Sequence, residues 1–190
     1  MVKNVYHTLT FKNNNEFIAE NGPILCDKDD AWLSPGYYFW EESIKAAHYW
    51  GQNRIRKDYI IFQAECFIDE NTCFDLVGSV PHRDELNTLF HQLVDEGLIS
   101  RETTVGHVID FLRKAGIFKY PSCKVESTDA FVYYVQDPDE TKELKFDEKR
   151  TIVTLKLNLV IQICVYDLGA VDFKNFRLVH DSTNPALNIA

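Results

Sequence analysis

The stretch SPGYYFWEESIKAAHYW, Ser34 to Trp50, decides how the rest of this chain is read. It opens on a Pro-Gly turn signal. Four aromatics follow, Tyr37, Tyr38, Phe39 and Trp40, a composition that suits a strand. Alternation along a strand sends Tyr38 and Trp40 to one face and Tyr37 and Phe39 to the other. A helix is expected next. Glu41 and Glu42 would occupy its first turn, where the helix dipole favours a carboxylate, and Gly51 would stop it. Tyr49 on that helix then lies close enough to share a pocket with Tyr38. Two tyrosines converging on one cleft could sandwich a flat ring, or they could simply fill a core.

Working outward, 190 residues suffice for one domain with a sizeable core, and 45% hydrophobic and 13% aromatic content fit a packed protein. Five scattered cysteines, odd in number and never spaced C-x-x-C, point to reduced thiols in a cytoplasmic setting and away from a zinc site. His82, His91 and His107 add no ligand pair of recognised spacing. The formal charge of −9 argues against a broad nucleic-acid-binding surface. No apolar run approaches the length of a membrane span, and the N-terminus lacks a signal-peptide pattern.

Along the chain, 2–7 reads as a strand and 13–20 as a short helix with an Asn cap. Residues 58–68 form a strong strand candidate and 73–76 a short one. Leu86, Leu89, Phe90, Leu93 and Val94 make one apolar helical stripe ending at Gly97. A second helix is expected over 104–115, with Val105, Val108, Ile109 and Leu112 on one face. Together these helices form an insertion over about 81–116. Residues 130–136 read as a strand and 137–142 as a charged turn. The segment 151–167 carries long alternation, with Val153, Leu155, Leu157 and Leu159 on one side. From Asp181 onward the polar tail is expected to be loosely held. Strands at both ends around a helical insertion predict a single α+β domain over 1–190. No G-x-G-x-x-G or P-loop supports a Rossmann or Walker site.

Gly36-Tyr37-Tyr38-Phe39, followed by Lys45, Ala47 and Tyr49, resembles the second motif of the diphtheria-toxin and poly(ADP-ribose) polymerase type of ADP-ribosyltransferase. Tyr6-His7-Thr8 resembles the first motif, with Thr8 in place of the usual glycine. Gln162-Ile163-Cys164-Val165-Tyr166 resembles the third, with Gln162 where the family carries a glutamate. The likeness covers about residues 5–50 and 160–167. It implies a split β-sheet core and a site for NAD. His7 would hold the adenosine ribose, the Thr8 backbone would grip the carboxamide, and Tyr38 and Tyr49 would flank the nicotinamide. Ala46 falls where many relatives carry a serine that bonds the carboxamide.

Gln162 is the most informative departure. The family carboxylate bonds a ribose hydroxyl and faces the positive charge that develops as the glycosidic bond breaks. An amide keeps the hydrogen bond and loses the charge. At about 4 Å and an effective dielectric near 20 that charge is worth roughly 4 kcal/mol, or two to three decades of rate. The resemblance therefore implies mono-ADP-ribosylation of an unidentified macromolecular acceptor in the cytoplasm, by a toxin or defence effector. NAD hydrolysis or non-catalytic binding of NAD or ADP-ribose are the alternatives. A carboxylate from elsewhere, Glu65 or Glu126, could stand in for the missing one.

Overall fold

A computed structural model describes residues 1–29, 31–127, 143–146, 154–156, 159–184 and 186. Nine strands and four α-helices occur among them, in the order β1 Val2–Thr10, α1 Asn15–Asn21, β2 Tyr37–Glu41, α2 Ile44–Trp50, β3 Tyr59–Phe67, β4 Phe74–Asp75, α3 Val80–Asp95, α4 Val105–Lys114, β5 Ser122–Glu126, β6 Glu143–Lys145, β7 Thr154–Lys156, β8 Ile161–Val165 and β9 Lys174–Asp181. The architecture is α+β, as the sequence predicts. Seven strands form one mixed sheet in the order β4-β5-β8-β2-β1-β3-β9, and β6 and β7 pair separately. Helices α3 and α4 lie in sequence between β4 and β5, where the insertion is expected.

Strand register assigns every side chain to one of two faces, because paired residues point the same way. Tyr6 sits opposite Trp40, and Trp40 opposite Gln162. Alternation then places Tyr6, Thr8, Tyr38, Trp40, Gln162 and Cys164 on one face. On that face Trp40, Tyr59 and Ile61 pack against Ala46 and Ala47 of α2. Beside them Phe74, Cys123 and Cys164 pack with Leu33 and with Ile109 of α4. The opposite face carries Val5, Phe39, Ala64 and Ile163, and its outer part is covered by Ile18 of α1.

Several local expectations are corrected. Glu41 and Glu42 are not in a helical first turn: Glu41 ends β2, Glu42 has a left-handed φ of 54°, and Ser43 caps α2 by accepting from the Ala46 N–H. Glu41 is drawn instead into a buried ion network, 3.1 Å from Lys3 Nζ and 3.7 Å from Lys124 Nζ. Nor does Gly51 stop the helix. It keeps helical angles and opens a π-helical turn, Gly51–Ile55, that ends at Arg56 with φ 55°. A glycine is needed there because the Tyr59 ring occupies the space a Cβ would take.

The segment 151–167 is not one strand; β7 and β8 belong to different sheets. The strand expected over 130–136 and the turn over 137–142 lie outside the described residues. The start of the tail is tied down, since Asn15 donates to Asp181 at 2.9 Å and Ser182 exchanges hydrogen bonds with the Tyr59 backbone. Strands β5 and β9 are not among the expected elements, although Cys123 and Val125 of β5 alternate with Ser122, Lys124 and Glu126.

Candidate functional site

Strand β1 pairs with β2 at only two positions, Val5 with Glu41 and Tyr6 with Trp40. Past Tyr6 the ladder stops. The gap is bridged by the His7 side chain, whose Nδ1 lies 2.7 Å from the Tyr38 carbonyl oxygen. A carbonyl only accepts, so Nδ1 carries the proton, and Nε2 is left to accept the Ile24 N–H at 3.2 Å. Both ring nitrogens are thus engaged. The ring is buried and tilted against Phe39, with centroids 5.2 Å apart. Burial lowers its pKa to about 4, against the partial restoring effect of the Tyr38 carbonyl, so the imidazole is neutral near pH 7.

Thr8, the next residue, points to the other face and donates its hydroxyl to the Ala47 carbonyl at 3.0 Å, pinning α2 to the sheet. Tyr38 also points to the α2 face. Its hydroxyl donates to the Ser34 carbonyl at 2.8 Å and accepts the Leu33 N–H at 2.9 Å, closing the loop that precedes β2. Burial raises its pKa well above the usual phenol value. Tyr49 is buried on α2, whose alanines join the Trp40 cluster, whereas Tyr38 joins the neighbouring cluster around Leu33 and Ile109. Gln162 is buried between Trp40 and Val125 of the flanking strands.

The structure therefore brings Thr8, Tyr38 and Gln162 to one face of adjoining strands, with the Tyr49 helix packed over that face. It does not bring His7 there: the imidazole leaves β1 on the Phe39 side and reaches back only through its bond to the Tyr38 backbone. The expectation of one cleft lined by imidazole, phenol and carboxamide is not met: the three strands adjoin, but the imidazole lies on the other face of the sheet. The two stand-in carboxylates also miss. Glu126 pairs with Ile161, one residue out of step with Gln162 and so on the opposite face. Glu65, on β3, pairs with Asn4 of β1 and so lies two strands beyond β2.

Gly36 has a structural reason that the turn reading lacked. A Cβ there would run into Cys164 Sγ and lie 3.0 Å from the Val165 carbonyl oxygen, so a glycine lets the start of β2 close on β8. Burial pushes the Cys164 thiol up to about 12, which leaves it an inert packing group. Among the described residues no group of three His, Cys, Asp or Glu side chains could hold a metal ion, and no helix is long and apolar enough to cross a membrane.

One constellation had no sequence signal. Arg113, in the last turn of α4, stacks on the Tyr166 ring with its guanidinium carbon 3.9 Å from the ring centroid. Its Nη1 donates to Ser34 Oγ at 2.6 Å and to the Pro35 carbonyl at 2.7 Å. A basic residue there is ordinary helix C-terminal chemistry, and only the fold reveals that it clamps the loop leading into β2.

No family model matches the chain, and no solved structure matches it. An uncharacterized protein of Methanocaldococcus jannaschii is similar, 36% identical over 78 residues, which take in 38% of this chain and 36% of that protein. The chain thus matches only about a third of that relative's length.

Proposed function

We propose that the chain is an NAD-dependent mono-ADP-ribosyltransferase with the split-sheet core of that superfamily. What carries the reading is the order β8-β2-β1: the three strands bearing the Gln162, Tyr38 and His7 motifs are immediate neighbours in the sheet, although β2 ends at Glu41 and β8 begins only at Ile161. The early end of the β1–β2 ladder supports it as well, because next to those motifs β2 is joined to β1 by the His7 side chain and not by a backbone ladder.

The reaction breaks the bond between the nicotinamide nitrogen and the ribose anomeric carbon. The bonding pair leaves with nicotinamide, and the acceptor nucleophile attacks the oxocarbenium-like carbon and loses its proton. Positioning and electrostatics are all the protein needs to supply. Gln162 would bond a ribose hydroxyl without adding charge. His7 Nε2 would serve the second ribose only after giving up the Ile24 amide.

A second reading, a module that binds NAD or ADP-ribose without cleaving it, draws on two observations. Both nitrogens of His7 are already satisfied, and position 162 is an amide.

Incubation with NAD, following nicotinamide release and label retained on macromolecules, separates these readings. Release with retained label is the expected result, and release without it means hydrolysis. Gln162→Glu should raise turnover by about one hundredfold or more if the carboxylate charge is what is missing. Binding of NAD with no release in either protein selects the non-catalytic module. No binding at all removes the family reading.

A further inference from the structure

We propose that the cleft between the C-terminal end of α4 and the end of β8 binds a phosphate-bearing ligand of the nucleoside monophosphate class, with Arg113 and Lys119 holding the phosphate. The cleft encloses about 670 Å³, within the range of small-ligand sites, and its walls include Phe118, Tyr120 and Tyr166.

The guanidinium geometry carries the inference. Tyr166 fixes the plane of Arg113, and the two bonds to Ser34 and Pro35 consume both protons of Nη1. Nε and Nη2 form the side edge of the group, the fork that matches two oxygens of a phosphate or carboxylate. Among the described residues no carboxylate or carbonyl takes that edge. The clamp on the loop accounts for Nη1 and leaves a rigid fork unused.

Both acids in the cleft are already engaged. Asp110 is 2.6 Å from Lys114 Nζ, and Asp167 accepts the backbone N–H groups of Gly169 and Ala170. Lys114 offsets Asp110, so Arg113 and exposed Lys119 outweigh Asp167 and leave one positive charge in excess to meet a phosphate, in a chain whose net charge is −9. Phe118 and Tyr120, with ring centroids 5.5 Å apart and planes inclined at 61°, add aromatic surface to the cleft against which a base can pack. The site is independent of the ADP-ribosyl reading, because Tyr166 lies four residues beyond Gln162, on the order of 13 Å along the strand direction.

Titration of the full chain with AMP, followed by backbone amide shifts, tests the site. Saturable shifts are expected at residues 113–121 and 166–167, with inorganic phosphate competing and adenosine without effect. Arg113→Lys keeps the charge but loses the fork, and should weaken AMP by about tenfold or more. Lys119→Ala should weaken it by about threefold. If Arg113→Lys fails to fold, Lys119→Ala and phosphate competition decide. The proposal is overturned by absence of shifts, by shifts confined to β1 and β2, by adenosine binding as tightly as AMP, or by undiminished binding in folded variants. Displacement of AMP by succinate but not by phosphate would reassign the cleft to carboxylates and equally overturn it.

Discussion

The two seams that flank β1 are built differently. Toward β3 the strand is paired along its full length, from Val2 opposite Phe67 to Thr10 opposite Tyr59. Toward β2 it is paired at two positions only. Where the backbone ladder runs on, stability comes from repeated hydrogen bonds and the apolar clusters on either side. Where it stops, single side chains take over: His7 spans the gap to Tyr38 and Ile24, and Thr8 ties down α2. A seam closed by side chains can be opened one residue at a time, which a ladder cannot. That is why the candidate site belongs to the β2 seam.

The largest effect should come from the continuous seam. Phe62 is fully buried opposite His7 and stacks on Phe176 with centroids 4.6 Å apart. Phe62→Ala should cost about 3–5 kcal/mol, read as a lower midpoint in urea at unchanged slope.

Acid should act next, and on the interrupted seam. The folded-state pKa of His7 is about 4, below the 6.5 of an unperturbed histidine, so the unfolded chain takes up the proton first as pH falls. Stability should be fully present above about pH 6.5 and decline down to about pH 4, by on the order of 3 kcal/mol in all. His48 is shifted the same way, by burial and then by His180, so the wild-type slope contains both. Comparison of His7→Gln with wild type isolates the His7 share. An unchanged slope in the variant would mean that the β2 seam does not hold a neutral imidazole.

At neutral pH, His7→Gln should itself cost about 2 kcal/mol, because one backbone group of the pair it bridges is left without a partner. Faster amide exchange at Ile24, with Phe62 unchanged, would localise the loss to the gap. Thr8→Val should be the mildest, about 1 kcal/mol for the bond to Ala47, with Thr8→Ser close to wild type in thermal unfolding. If Thr8→Val proved as costly as Phe62→Ala, the distinction between the seams would fail.

Sequence periodicity was sufficient where one face of an element is buried and the other is wet. The stripe from Leu86 to Leu93 marked α3, whereas β2, buried on both faces at Phe39 and Trp40, was marked by its aromatic composition. Periodicity failed where geometry outranked pattern. Gly51 reads as a helix stop, yet it keeps helical angles, and the Tyr59 ring, 8 residues on in the chain and adjacent only in the fold, fills the space a Cβ would need. Glu41 reads as a helix-start carboxylate, yet two lysines from distant strands claim it.

The candidate site divides along the same line. Sequence alone determined which residues could bear the motifs and the strand or helix each would occupy, because those follow from local composition and spacing. Only the tertiary structure decided that the three motif strands are neighbours, that His7 faces away from Tyr38 and Gln162, and that Arg113 beside Tyr166 offers a fork unused among the described residues. Those outcomes depend on register and on hydrogen bonds between segments far apart in the chain, and a shift of one residue along a strand reverses the face of every side chain it carries.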